Sequence, residues 1–212
     1  IYIDADILCL KNPEIEIKQA ISKLKVSNFP LAGLTEAKRE NAEEYFKNLG
    51  MKNDLYFNAG LIIIDYKKWL ENNLTDNLLD LMKKRYTKII YWDQDLLNLF
   101  FDGNYLEMSK SLNFSPPESV HTKMLNDENQ ICFLHYSGSK KPWYFENVFL
   151  ELSNYYQMAY KKYFQNKFHA TLKLKKHEIR PLLLILKSLN IKIDDKFKFI
   201  YAIIKSNLLR VN

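Results

Sequence analysis

The chain is short of what builds disulfide scaffolds, membrane anchors and thiolate metal centres. Its only two cysteines, Cys9 and Cys132, lie in separate apolar runs with no Cys-x-x-Cys spacing. Buried, reduced thiols are therefore expected in preference to a disulfide or a thiolate metal site. No stretch approaches the roughly 20 apolar residues of a membrane span. The first residues carry neither a basic segment nor a small-residue cleavage site, so no secretory signal is read there. An intracellular, cytoplasmic protein is expected. Repeats and low-complexity tracts are lacking too, which sets aside solenoids and linkers. An initiator Met is also missing, and the chain opens inside an apolar run.

What is present is a globular composition, with 212 residues of which 47% are hydrophobic. That is enough for a sizeable core, in one domain with an appendage. Charge is unevenly distributed. Residues 161–212 hold 13 Lys and Arg but only Glu178, Asp194 and Asp195 as acids, so this segment is +10 and residues 1–160 are −4. A mildly acidic body with a basic tail does not suggest a nucleic-acid-binding face.

The opening run, Ile1-Tyr2-Ile3-Asp4-Ala5-Asp6-Ile7-Leu8-Cys9, places two carboxylates one residue apart at the exit of an expected buried strand. Taken alone, the pair reads equally as an acidic turn or as ligands for a hard divalent cation. Phe29–Leu34 is expected as a short strand, Glu36–Leu49 as a surface helix stopped by Gly50, and Leu55–Asp65 as a continuous central strand. Small or polar residues Asn58, Ala59 and Gly60 near the start of that strand would admit a ligand, a second backbone or tight packing. A helical pattern over 66–86 splits at Asn72-Asn73, with Thr75 as a candidate N-cap. Ile89–Trp92 is read as a strand delivering Asp93, Gln94 and Asp95 onto a helix start, where a cap and a ligand site are alternatives.

Residues 102–130 are expected to be loop-rich, with a short strand at 105–108 and His121 as a solvated loop residue. Ile131–Leu134 is another buried strand, ending in His135 and a loop with Gly138, Lys140 and Lys141. Val148–Phe164, Pro181–Leu189 and Phe197–Leu209 are expected helices, with a basic cluster at Lys173–Lys176.

Three strand exits thus supply an Asp pair, an Asn/Asp/Gln set and a His followed by lysines. A cation held by Asp4, Asp6 and His135 would have mixed oxygen and nitrogen ligands, favouring Mn²⁺ or Mg²⁺. Lys141 suits a phosphate on that cation's open positions.

The order Tyr2-Ile3-Asp4-Ala5-Asp6, Phe57-Asn58-Ala59-Gly60, Asp93-Gln94-Asp95 with Asn98, and His135-Tyr136-x-Gly138-x-x-Lys141-Pro142-Trp143 resembles glycosyltransferase family 8. The likeness is greatest to bacterial lipopolysaccharide galactosyl- and glucosyltransferases. It implies an α/β GT-A fold, Rossmann-like with a mixed sheet, over residues 1–145, followed by a helical basic region over 146–212. It implies a retaining transfer of galactose or glucose from a UDP-sugar to a glycan or glycolipid acceptor with Mn²⁺.

By the same resemblance, Asp4, Asp6 and His135 hold the metal, and Gly138 and Lys141 meet the diphosphate. Asn58, Ala59, Asp93 and Gln94 line the sugar pocket, and Ala5 lies near the nucleotide through its backbone. Asp95 is either near the reacting carbon or a helix cap. Family members carry a nucleotide-binding βαβ region before the Asp-x-Asp strand, and none of it precedes Ile1, so an N-terminally truncated domain is expected. Two rivals stay open. One is a haloacid-dehalogenase-like phosphatase with Asp4 as nucleophile, Asp6 as acid/base and Lys192 with Asp194-Asp195 as its later motif. The other is an inactive transferase fragment whose basic tail contacts membrane or a subunit.

Overall fold

The computed structural model describes residues 1–36, 41–116, 130–165 and 168–171, with Asp195, Phe197, Lys198, Ile200 and Tyr201 further on. His121, the basic cluster 173–176, the expected helix 181–189, Lys192, Asp194 and most of 197–209 lie outside the described residues. The chain divides into two compact units, one holding residues 1–115 and the segment ending at His135, the other holding the chain from Tyr136 onward.

In the first unit the opening run is not one buried strand. It forms β1 (Tyr2–Ile3), a turn over Ala5-Asp6, and β2 (Ile7–Cys9). Among the described residues β1 pairs with β4 (Phe57–Ile64), antiparallel, and Tyr2 and Ile3 are 46% and 43% exposed. Cys9 is exposed; Cys132 is buried, and burial pushes its thiol pKa up. Both thiols are free.

Helix α1 (Glu14–Val26) starts behind Pro13, whose missing N–H costs nothing at a helix start. Strand β3 (Leu31–Thr35) is antiparallel to β4 and parallel to β5 (Leu106–Glu107), giving a mixed sheet in the order β1-β4-β3-β5. A second, two-stranded sheet pairs β2 antiparallel with β6 (Phe133–His135), placing Ile7 opposite His135.

β4 is buried almost throughout, as its apolar run requires, yet its pleat slips. Phe57 and Ala59 join one core with Leu74, Leu78, Leu97 and Phe101, and beyond Gly60 it is Ile62 that joins that core. Leu61 and Ile63 face the opposite core with Ala20, Leu24 and Leu112. The inward set changes from odd to even numbers, the signature of a bulge. The β3 pairing shows the same slip, from Ala32 opposite Ile63 to Leu34 opposite Asn58.

The helices split where the sequence indicated, into α3 (Tyr66–Glu71) and α4 (Leu74–Arg85). Thr75 is not the cap, since the helix already begins at Leu74; its Oγ1 accepts the Trp69 indole N–H at 2.9 Å. Asp65 caps α3 instead, accepting the Lys68 N–H, and that bond together with the Lys68 ammonium holds its carboxyl below the usual range. The same ammonium donates to the carbonyls of Leu24 and Ser27 at 2.7 and 2.6 Å, satisfying the open end of α1. Helix α2 (Ala42–Leu49) ends at Gly50, whose φ of 103° suits a residue without Cβ.

The expected strand over Ile89–Trp92 does not form. The Asp95 carboxylate accepts the N–H groups of Ile90 and Tyr91, each at 2.7 Å, which a ladder would have needed, and α5 (Trp92–Phe101) begins there. Asn98 then fastens α5 to the entry of β4. It accepts the Phe57 N–H at 2.7 Å and donates to the Phe57 carbonyl at 2.8 Å.

The second unit is built on α6 (Glu151–Tyr163). Gln157 donates to the carbonyls of Pro142 and His169 and accepts the His169 N–H, and the rings of Trp143, Tyr156 and Tyr160 pack on the His169 imidazole. Among the described residues no helix is long and apolar enough to cross a membrane.

Asn98→Ala removes both partners of the buried Phe57 peptide groups. It is expected to lower the unfolding free energy by about 2–4 kcal/mol, measured by urea denaturation.

Candidate metal and sugar site

Asp4, Asp6 and His135 come together because three backbone features converge. The Asp4 N–H donates to the Gly60 carbonyl at 2.7 Å as β1 leaves β4. The following turn, closed by the Ile7 N–H on the Asp4 carbonyl, brings Asp6 beside the residue paired with His135. His135 Nε2 lies 3.3 Å from Asp6 Oδ1 and 4.0 Å from Asp4 Oδ2. One ligand atom from each residue falls within 4.8 Å of the others. The His135 side chain is 4% exposed, that of Asp6 17% and that of Asp4 38%, so the cluster opens to solvent on the Asp4 side. Two carboxylate oxygens and one imidazole nitrogen fit a hard or borderline divalent cation.

Tyr2 donates to Asp4 Oδ1 at 2.6 Å. That bond, with burial and the charges of Asp4, Asp93 and Asp6, pushes the phenol pKa up to about 12. The Asp93 carboxylate is exposed. Ala5 occupies the turn between the two carboxylates.

The Asn58 and Gln94 side chains meet on Glu36. Asn58 Nδ2 donates to Glu36 Oε1 at 2.8 Å, and Gln94 Nε2 reaches the same oxygen at 3.3 Å. Gln94 Oε1 accepts the Ala59 N–H at 3.0 Å. Gly60 has its own explanation: a Cβ there would lie 2.2 Å from His135 Cε1, so the small residue makes room for the imidazole. Behind the ring, His135 Nδ1 is 2.9 Å from Asn113 Oδ1, and Asn113 Nδ2 donates to Asn58 Oδ1 at 3.0 Å.

Asp95 is fully buried. Besides the two backbone N–H groups, its carboxylate accepts the Tyr45 hydroxyl at 2.6 Å and the Tyr56 hydroxyl at 2.6 Å. Burial first, and that carboxylate second, push the Tyr56 phenol pKa far up.

Gly138 and Lys141 belong to the second unit. Gly138 has φ 77°, a left-handed turn, and Lys141 Nζ donates to the Tyr136 carbonyl at 2.8 Å. Glu36 and Asn113 escaped the reading of the sequence. Glu36 offered a signal, an acid at the exit of an expected strand; Asn113, inside a loop-rich stretch, offered none.

A model of glycosyl transferase family 8 matches residues 1–147. The chain belongs to glycosyltransferase family 8. Among its relatives in this family, the lipopolysaccharide 1,2-glucosyltransferase of Escherichia coli is 28% identical over 187 residues, covering 76% of this chain and 52% of the relative. The lipopolysaccharide 1,3-galactosyltransferase of Salmonella typhimurium is 27% identical over 155 residues, covering 68% and 44%. The chain thus spans about half the length of the curated relatives it matches. A crystal structure of galactosyltransferase LgtC with donor and acceptor sugar analogues matches with a TM-score of 0.58 at 22% identity, over 85% of this chain and 63% of that one. The likeness establishes the GT-A fold for this family 8 chain. The family match also takes away the ground for the dehalogenase-like alternative, which drew on the same Asp-x-Asp.

Gly60→Ala forces the His135 ring off its seat. It is expected to cost about 1–3 kcal/mol in urea unfolding and to shift the His135 ring resonances. An unchanged midpoint with unchanged resonances would show that the ring is not packed on Gly60.

Proposed function

We propose that this family 8 chain carries the metal and sugar half of a retaining hexosyltransferase site. The donor is a UDP-hexose, galactose or glucose, and the acceptor a saccharide such as lipopolysaccharide or another cell-surface glycan. The observation that carries the proposal is the joining of the Asp4, Asp6 and His135 cluster to the Asn58, Glu36 and Gln94 group through one strand, β4.

Asp4, Asp6 and His135 would hold Mn²⁺ or Mg²⁺, whose charge stabilises a departing diphosphate. Gln94 is held at both ends of its amide, by the Ala59 N–H and by Glu36, so it presents a fixed dipole and not a swinging side chain. A fixed dipole acts without reorganisation as charge develops on a sugar. The Asp95 carboxylate already accepts four donors, two hydroxyls and two backbone N–H groups. Those bonds make it a poor nucleophile and leave the amide of Gln94, itself a poor nucleophile, as the nearby group. Both facts favour same-face attack over a covalent glycosyl-enzyme, with the leaving diphosphate oxygen taking the acceptor proton. Asp93, Ala5 and Ala59 would line the donor pocket. Assignment of Gly138 and Lys141 to the diphosphate rests on motif order in the sequence, and contact of the basic residues 161–212 with anionic lipid rests on their charge.

The test is a panel of UDP-sugars with Mn²⁺, scored by released UDP. Chelation is expected to abolish turnover of the preferred UDP-hexose. Gln94→Ala is expected to slow turnover about 10²-fold while donor binding persists. Near-normal turnover in that variant would remove Gln94 from the mechanism, and silence across the whole panel would favour the inactive-fragment reading of this chain.

A further inference from the structure

The carboxamides behind His135 have only one consistent orientation, and it fixes where the imidazole carries its proton. The count starts from a group that cannot turn round. The backbone N–H of Gly60 donates to Asn58 at 2.9 Å, so the Asn58 atom facing it is the oxygen. The other end of the same amide faces Glu36 Oε1 at 2.8 Å, and an ionised carboxylate only accepts, so that end is the nitrogen. The two constraints agree. Asn113 lies 3.0 Å from the Asn58 oxygen and must offer its nitrogen there. Its own oxygen is thereby turned to His135 Nδ1, 2.9 Å away. An oxygen acceptor at that distance requires Nδ1 to bear the hydrogen. With the hydrogen on Nδ1, Nε2 is the nitrogen left to ligate, and it is the one that faces Asp6 and Asp4.

We propose that Asn113 is a positioning residue that holds His135 in its Nδ1–H tautomer, with Asn58, Gly60 and Glu36 fixing the sense of the Asn113 amide. Asn58, His135 and Asn113 are 6%, 3% and 1% exposed, so water does not compete for these bonds. Glu36 also receives Gln94 Nε2, and one carboxylate therefore orders the metal-facing imidazole on one side and the amide of Gln94 on the other. A neutral imidazole ligates through its unprotonated nitrogen, and the group bonded to its other nitrogen sets ring orientation and basicity. The role in cation binding, and with it the lone pair on Nε2 between two carboxylates, rests on the proposed function; the hydrogen on Nδ1 does not.

The experiment uses the whole chain labelled with ¹⁵N in histidine, free of metal, at a pH high enough to give a neutral ring. Long-range ¹H–¹⁵N correlation should place the His135 proton on Nδ1. In Asn113→Ala the proton is expected to redistribute toward Nε2, and Mn²⁺ affinity, measured by calorimetry with Mn²⁺ alone, to fall about 10–100-fold. Asn113→Asp keeps an oxygen opposite Nδ1 and should keep the tautomer and lose less affinity than the alanine variant. General loosening of the fold would weaken binding without inverting the tautomer. A wild-type proton on Nε2 overturns the proposal with no variant needed, and so does an alanine variant with tautomer and affinity unchanged. A wild-type Nδ1–H tautomer with no Mn²⁺ binding would reject the metal reading while leaving the tautomer assignment standing.

Discussion

The seating of the His135 imidazole on Gly60 is the contact on which the rest of the first unit depends. Gly60 lies where β4 slips its pleat, and its carbonyl receives the Asp4 N–H while its Cα faces the ring. One residue thereby ties the four-stranded sheet to the two-stranded one. Any side chain there would push β6 away and open the space between Asp4, Asp6 and His135. Ahead of the bulge the ordinary pleat points Asn58 toward Glu36 and Asn113 while its neighbours Phe57 and Ala59 stay in the core with α4 and α5.

The buried polar side chains around this point are paired. Among the described residues no buried side-chain nitrogen or oxygen lacks a hydrogen bond. Buried amides with all partners in place specify one arrangement, because any flipped amide leaves two groups unsatisfied at about 1–3 kcal/mol each. A buried Asp95 with four donors does the same for the junction of α2, β4 and α5. Transfer chemistry needs groups held in place before charge develops, and a network of this kind holds them.

The Asp-x-Asp pair, the strand around Asn58 and the Asp93-Gln94-Asp95 start of α5 were all legible as motifs, because short spacing and residue type carry them. Where the structure differs, hydrogen bonds and boundaries that composition does not encode decided. Ile89–Trp92 has the composition of a strand, but Asp95 captures its N–H groups. Thr75 has the chemistry of a cap, but Leu74 already stands inside the helix. The opening run has the composition of one buried strand, but a turn at Ala5-Asp6 breaks it in two.

By itself the sequence determined the family, the mixed α/β class, the split of α3 from α4 and the choice of Asp4, Asp6 and His135 as a cluster, since each rests on local order along the chain. Only the tertiary structure decided that Asn58, Glu36, Gln94 and Asn113 form one network and that Gly60 exists for an imidazole. The reason is physical. A hydrogen bond between residues 22 or 55 positions apart leaves no periodicity in the sequence, and a bulge shifts the pleat without changing the apolar character of the run that contains it.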